Sequence, residues 1–186
     1  MKLKHKISIG IICLLCLIGL TFFFFVNYQV TQLVNYNLTN ELSSILTLGY
    51  DLLDEVYPGP WRRDNGNLYK GEQLINDRYQ VVDLIRNHTN ALATVFLDDT
   101  RIATNVTLEN GARAVGTKAA PEVVETVLIN GRDFTGEADV AGRPFLTRYT
   151  PLRDSSGKVI GMWFVGVEKK QARNLVNRIS LSLGLI

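Results

Sequence analysis

The chain has 186 residues, 46% of them hydrophobic and 20% charged, which excludes a disordered tail or a collagen-like fibre and leaves room for one ordinary domain with accessories. Its net charge of +2 is unevenly placed: Lys2, Lys4 and Lys6 precede the first apolar run, and no acidic residue occurs before Glu41. The remaining body is close to neutral, so nothing electrostatic points to nucleic acid as a partner.

Residues 7–26 carry no charge, and only Ser8, Gly10, Gly19 and Thr21 break the apolar run. About 20 helical residues at about 1.5 Å each cover about 30 Å, the hydrocarbon thickness of a bilayer. A cleaved signal peptide has a shorter apolar stretch and a small-residue cleavage site. Here the phenylalanines at 22–25 run straight into Val26, Asn27 and Tyr28. Cys16 follows Leu15, which argues against a lipoprotein signal. The reading is an uncleaved transmembrane helix at 7–26, behind a basic cytoplasmic tail at 1–6, with Tyr28 as an interfacial aromatic. The three lysines place the N-terminus in the cytoplasm, and everything beyond Tyr28 outside the inner (plasma) membrane. Cys13 and Cys16 are the only cysteines and both lie in the span. The outer part therefore has no disulfide and no cysteine to ligate a metal.

Beyond the span, Val30, Leu33, Val34, Leu38, Leu42, Ile45, Leu46, Leu52, Leu53 and Val56 recur at three- and four-residue steps, the period of an amphipathic helix. One long helix over 27–56 is expected, stopped by Pro58-Gly59-Pro60. A small domain cannot cover so long a stripe, so part of it is expected to pack against a second copy in a homodimer. Leu68 and Tyr69 predict a short extended piece. Asp77 is placed to cap a helix running to about Asn87, with Tyr79, Val82 and Ile85 on one face. Residues 93–97 and 101–106 read as a hairpin around Asp98-Asp99-Thr100. Pro121 opens a helix with Val123, Val124, Val127 and Leu128 on its apolar side, closed by Asn130-Gly131.

Three strands follow, at 134–140, 143–153 and 158–167. Ala141-Gly142 makes the first turn and residues 154–157 the second, with Asp154 and Gly157 at the positions a type I turn favours. Tight turns force antiparallel pairing. The last strand is apolar on both parities and belongs at the centre of the sheet. The expected fold is α+β: about five antiparallel strands, helices on one side and loops on the other. Residues 168–178 read as a polar exit helix, and 179–186 as the start of a second membrane span.

Several segments taken together resemble the single Cache domains of bacterial chemoreceptors. They are FLDDTRIATN (96–105), GARAVGT (111–117), GEADV (136–140), FLTRYTPL (145–152) and GMWFVGV (161–167), preceded by YPGPW (57–61) and LYKG (68–71). The likeness runs from about Leu38 to Val167. Arg148 and Thr150 occupy variable positions of that pattern, and Phe145 stands where a tyrosine is usual. The resemblance implies a PAS-like Cache domain at 57–167 that sits outside the cytoplasm and binds a small ligand, in a methyl-accepting chemotaxis protein, a sensor histidine kinase or a cyclic-di-nucleotide enzyme.

No enzyme is expected. His5 and His88 are the only histidines, and no Gly-x-Ser-x-Gly, His-Glu-x-x-His or phosphate-cradling glycine loop occurs. Neither a cofactor nor a metal is expected. Asp98 and Asp99 read as turn formers and His88 as a surface or capping residue. For ligand capture the candidates are Arg101 and Arg113, whose guanidinium groups suit a carboxylate but equally suit solvation or a salt bridge. Phe145, Thr147 and Tyr149 share one strand face by two-residue alternation and mix aromatic walls with hydroxyls, as a pocket or as plain core. Trp61 is placed either to close a lid or to be buried without one. The rival reading is an anchored protein-interaction module that binds no small molecule.

Overall fold

The computed structural model describes residues 3–168; the expected second span at 179–186 and all but the first residue of the expected exit helix lie outside them. The described residues divide into two compact units, residues 3–38 and residues 39–168. Helix α1 (Leu3–Val56) begins in the first unit, where most apolar side chains of residues 7–25 are exposed, Phe24 at 67%, while Val34 further along is buried. It is long and apolar enough to cross a bilayer, by length and composition alone.

In the second unit α1 changes character. Leu42, Ile45, Leu46 and Leu53 are buried, the stripe that three- and four-residue spacing puts on one helix face. Gly49 completes it: a Cβ there would stand 2.6 Å from both Ile85 Cδ1 and Trp163 Cζ2. The helix ends at Val56, before the predicted Pro-Gly-Pro stop.

A small antiparallel sheet follows, of β1 (Trp61–Asp64), β2 (Asn67–Lys70) and β3 (Gln73–Leu74). Asn65 (φ 47°) and Gly66 (φ 79°) turn β1 into β2, the left-handed pair a type I′ hairpin requires. Helix α2 (Gln80–Thr89) buries Val81, Val82 and Ile85. Its N-cap is Tyr79, with no side-chain cap bond. Asp77 does not cap it as expected, because at φ 60° it sits in the preceding turn and accepts the Tyr79 hydroxyl at 2.6 Å.

The main sheet contains β4 (Leu92–Leu97), β5 (Thr100–Thr104), β6 (Phe134–Val140), β7 (Arg143–Arg153) and β8 (Val159–Glu168). Its order is β5-β4-β8-β7-β6, antiparallel throughout. β8 is central and buried from Ile160 to Val167, as its two-sided apolarity predicted. It also takes in Glu168, which pairs with Phe145 rather than opening a helix. One face of the sheet meets α1, where Trp163 Nε1 donates to the Leu46 carbonyl at 3.0 Å. The other face is covered by the 105–120 loop and by the segment opened by Pro121. That segment is a single turn, α3 (Pro121–Val123), running into a π-helical stretch, Val124–Ile129, so the side expected to carry loops carries a helix as well.

Candidate functional site

Antiparallel register sets side chains in rows across the face turned toward the loop. One row runs Thr104, Thr94, Phe164, Tyr149, Phe134; the next holds Arg101, Phe96 and Met162. Tyr149 stacks within 4.7 Å of Phe164, 5.9 Å of Phe134 and 6.0 Å of Phe96, centroid to centroid. The rings lie along the sheet because Gly166 is bare: a Cβ there would come 2.8 Å from Phe164 Cζ. Val106, Ala114, Val123 and Val127 close this core from the covering side.

Arg101 sits at the edge of the aromatic floor, 4% exposed, with its guanidinium 5.0 Å over the Phe96 ring. Nη1 donates to Thr117 Oγ1 at 2.8 Å and to the Lys118 carbonyl at 3.0 Å. Its Nε, buried as well, has no hydrogen-bond partner among the described residues. Burial pulls the guanidinium's pKa down. Burial pushes the Tyr149 hydroxyl up to about 12; Arg101 opposes that rise and Glu122 adds to it. A buried N–H left without an acceptor costs about 1–3 kcal/mol, and Arg101, which also lines an opening, carries one.

That opening is a cleft of about 320 Å³. Leu108, Ala119, Ala120 and Ala141 give it apolar walls, while Arg101, Thr117, Lys118 and Asp139 supply polar ones. Lys118 Nζ is held by Asp99 at 2.8 Å, and this bond above all keeps the Asp99 carboxyl below the usual range. Asp139 Oδ1 accepts the Gly142 N–H at 2.9 Å.

Tyr149 and Phe145 are buried in the same core cluster. Thr147 lies on their face, fully buried, its hydroxyl given to the Gly136 carbonyl at 2.8 Å. Arg113 is placed otherwise. Nη1 and Nη2 each meet an Asp83 carboxylate oxygen at 2.8 Å, Nη1 also reaches the Thr104 carbonyl at 2.7 Å, and the group lies 4.2 Å over the Tyr79 ring. Asp83 is the main reason its pKa is raised. Arg113 therefore ties the covering loop to α2. Trp61 is 4% exposed in the small sheet, donating to the Tyr50 hydroxyl at 3.3 Å, with Lys70 Nζ 4.9 Å from its ring; none of these partners belongs to the Arg101 cleft.

Sequence reasoning missed Phe96, Thr117, Lys118 and Asp139. The signal for Phe96 was available, since it precedes the hairpin turn and pairs with Arg101. Nothing local marks Thr117 and Lys118, which come from a loop. Among the described residues no group of three or more His, Cys, Asp or Glu side chains gathers as a metal site would require.

A family model described as single cache domain 3 matches residues 73–179. Among solved structures, the Escherichia coli DcuS sensor domain is similar with 17% identity and a TM-score of 0.40, over 53% of this chain and 71% of that one. The ligand-binding domain of the Campylobacter jejuni chemoreceptor Tlp3, in complex with L-norvaline, is similar with 14% identity and a TM-score of 0.45, over 80% of this chain. The alignment spans 59% of that chemoreceptor domain. A domain of an HTR-like protein from Haloarcula marismortui is similar with 20% identity and a TM-score of 0.30, over 42% of this chain and 96% of that one. Among curated proteins none matches the sequence significantly.

Proposed function

The chain belongs to the single Cache domain family, whose members sense by binding ligands rather than by catalysis, and on that premise we propose that it is the sensory part of a bacterial transmembrane chemoreceptor for a small carboxylate. The observation that carries the ligand class is Arg101, a buried arginine that lines the cleft, bonds only a hydroxyl and a carbonyl, and keeps one N–H unmatched. A carboxylate accepts from a guanidinium through charge-assisted bonds about twice as strong as neutral ones. Arg113 is excluded from the clamp because Asp83 already occupies it.

Residues 7–26 anchor the domain with the N-terminus in the cytoplasm, by the charge rule for short flanks. Residues 27–56 link that anchor to the sensor at 57–167 and pair with a second copy; Leu48, 57% exposed on α1, supports such a contact. Alternation along the strands supplies a route for the signal. β8 turns Met162 and Phe164 to the site and Trp163 to Leu46 of α1, and β7 turns Tyr149 to the site and Arg148 to Ser43 Oγ at 2.5 Å. A ligand moves such an equilibrium only through its different affinity for the two arrangements.

The test is a thermal-shift screen of small organic acids on the full chain in detergent micelles, repeated with Arg101→Ala. Acids that raise the melting temperature of the parent and leave the variant unmoved agree with the proposal. A shift that survives in Arg101→Ala rejects the carboxylate anchor, and a library without any hit favours the interaction module.

A further inference from the structure

Residues 107–113 fold back on themselves as a small hairpin within the covering loop. Thr107 and Arg113 form its rung, and the Leu108 N–H meets the Ala112 carbonyl at 2.8 Å. Gly111, at φ 81°, makes the reversal, its N–H on the Leu108 carbonyl at 2.9 Å. Behind the hairpin, Val106 and Ala114 are fully buried and bonded to each other at 2.9 Å, so its base is fixed to the core. Further on, Gly116 and Thr117 bond the Arg101 backbone along β5. Any movement of the loop therefore falls to the hairpin. We infer that residues 107–113 are a flap over the cleft and that the Arg113–Asp83 pair is its latch, which governs access whichever molecule the cleft takes.

Leu108 rides on the hairpin and walls two clefts, the Arg101 cleft of about 320 Å³ and a neighbour of about 260 Å³. Across both stands Ala141, in the turn between β6 and β7. Among the described residues no hydrogen bond or ion pair joins 107–112 to that turn, so this side of the hairpin is unfastened. The α2 side is fastened through one residue. Arg113 holds both carboxylate oxygens of Asp83, in the first turn of α2, and the Thr104 carbonyl, and it lies over the Tyr79 ring. Among the described residues no other side chain of the hairpin bonds outside it. The two partners' side chains are 35% and 39% exposed. A fully exposed pair holds too weakly to fix a loop, and a fully buried one opens too rarely to admit a ligand. This forked pair lies between those limits: its geometry holds the flap, and salt reaches it to loosen it.

The test uses the full chain in detergent micelles, with Cys13→Ser and Cys16→Ser, and Ala119→Cys as a reporter in the cleft wall. Labelling of that thiol by a small neutral reagent reads access to the cleft. Amide hydrogen exchange reads the hairpin, since protection follows the free energy of local opening. Asp83→Asn keeps the shape of the side chain and removes its charge. In that variant labelling at 119 and exchange of the Leu108 and Gly111 amides are each expected to rise about tenfold, the factor set by about 1.4 kcal/mol. The amides of β7 and β8 are expected to exchange as in the parent. Added salt is expected to speed both readouts in the parent, a measurement that stands even where Asp83→Asn does not fold. Unchanged hairpin exchange in Asp83→Asn, or parent rates indifferent to salt, overturn the latch. Protection lost equally across the whole sheet also overturns it, leaving the pair a stabilising contact and no more. Faster hairpin exchange with unchanged labelling at 119 overturns the flap as a gate.

Discussion

Trp163 and Leu46 stand 117 positions apart in sequence, yet the indole of the central strand donates directly to the helix carbonyl of Leu46 at 3.0 Å. The residues flanking Trp163 on β8 face the opposite side, where Met162 and Phe164 pack beneath the cleft. One strand therefore touches both the floor of the cleft and helix α1. Trp163→Phe removes the donor but leaves the carbonyl bonded within its helix, so the cost is the net value of one hydrogen bond plus lost ring area, about 1–2 kcal/mol. Chemical denaturation of the two proteins in micelles checks this, and equal midpoints would contradict the tie.

Gly49→Ala sets two effects against each other. Alanine is favoured over glycine inside a helix by about 1 kcal/mol. Its Cβ, however, would meet Ile85 Cδ1 and Trp163 Cζ2 at 2.6 Å, and overpacking of this kind costs about 1–3 kcal/mol. The methyl end of Ile85 yields easily, but the Trp163 ring is held by its hydrogen bond. Net destabilisation is expected, read as a lower melting temperature; a rise would mean that helix and sheet separate without cost.

Ala141 turns β6 into β7 at φ 53°, followed by Gly142 at φ 81°. Alanine in the left-handed region costs about 1–2 kcal/mol, whereas asparagine tolerates it. Ala141→Asn should raise stability by about 1 kcal/mol, visible as a higher melting temperature of the unliganded chain. A decrease would show that the turn is not strained.

The alkaline limb of stability should depend on Tyr149. Its folded pKa, about 12, lies above the ordinary value of 10.0. The neutral hydroxyl's contribution is thus complete below pH 10 and is lost as pH rises toward 12. Tyr149→Phe should flatten that limb relative to the parent. Asp99 acts in the opposite sense: its lowered pKa gives stability that is present above about pH 4 and lost below it. Asp99→Asn should flatten the acid limb, and melting curves across pH decide both.

Most of the β architecture was legible because its signals are local. Two-residue alternation placed Phe145, Thr147 and Tyr149 on one face, and turn residues at 141–142 and 154–157 set the strand ends. The three-stranded sheet was only partly seen: Asn65-Gly66 is a strong hairpin signal, but Arg62, Arg63 and Asp64 beside it do not read as a strand. Asp77 has the chemistry of a helix cap, and a left-handed backbone took it out of position. The π-helical turn at Val124–Ile129 has no local signature, because packing over the sheet selects it.

By itself the sequence determined a span-length apolar segment, the Pro-Gly-Pro stop of the helix that follows it and the antiparallel pairing of strands joined by tight turns, since each follows from backbone preferences acting over a few residues. Only the tertiary structure decided which charges are bound and which are vacant. Lys70 looks like any surface lysine, yet it is 2% exposed and paired with Asp54. Arg101 and Arg113 were equal candidates twelve residues apart, and the fold gave Asp83 to one of them and an open cleft to the other. Long charged side chains choose partners brought close by the folded chain, and no local pattern records those partners.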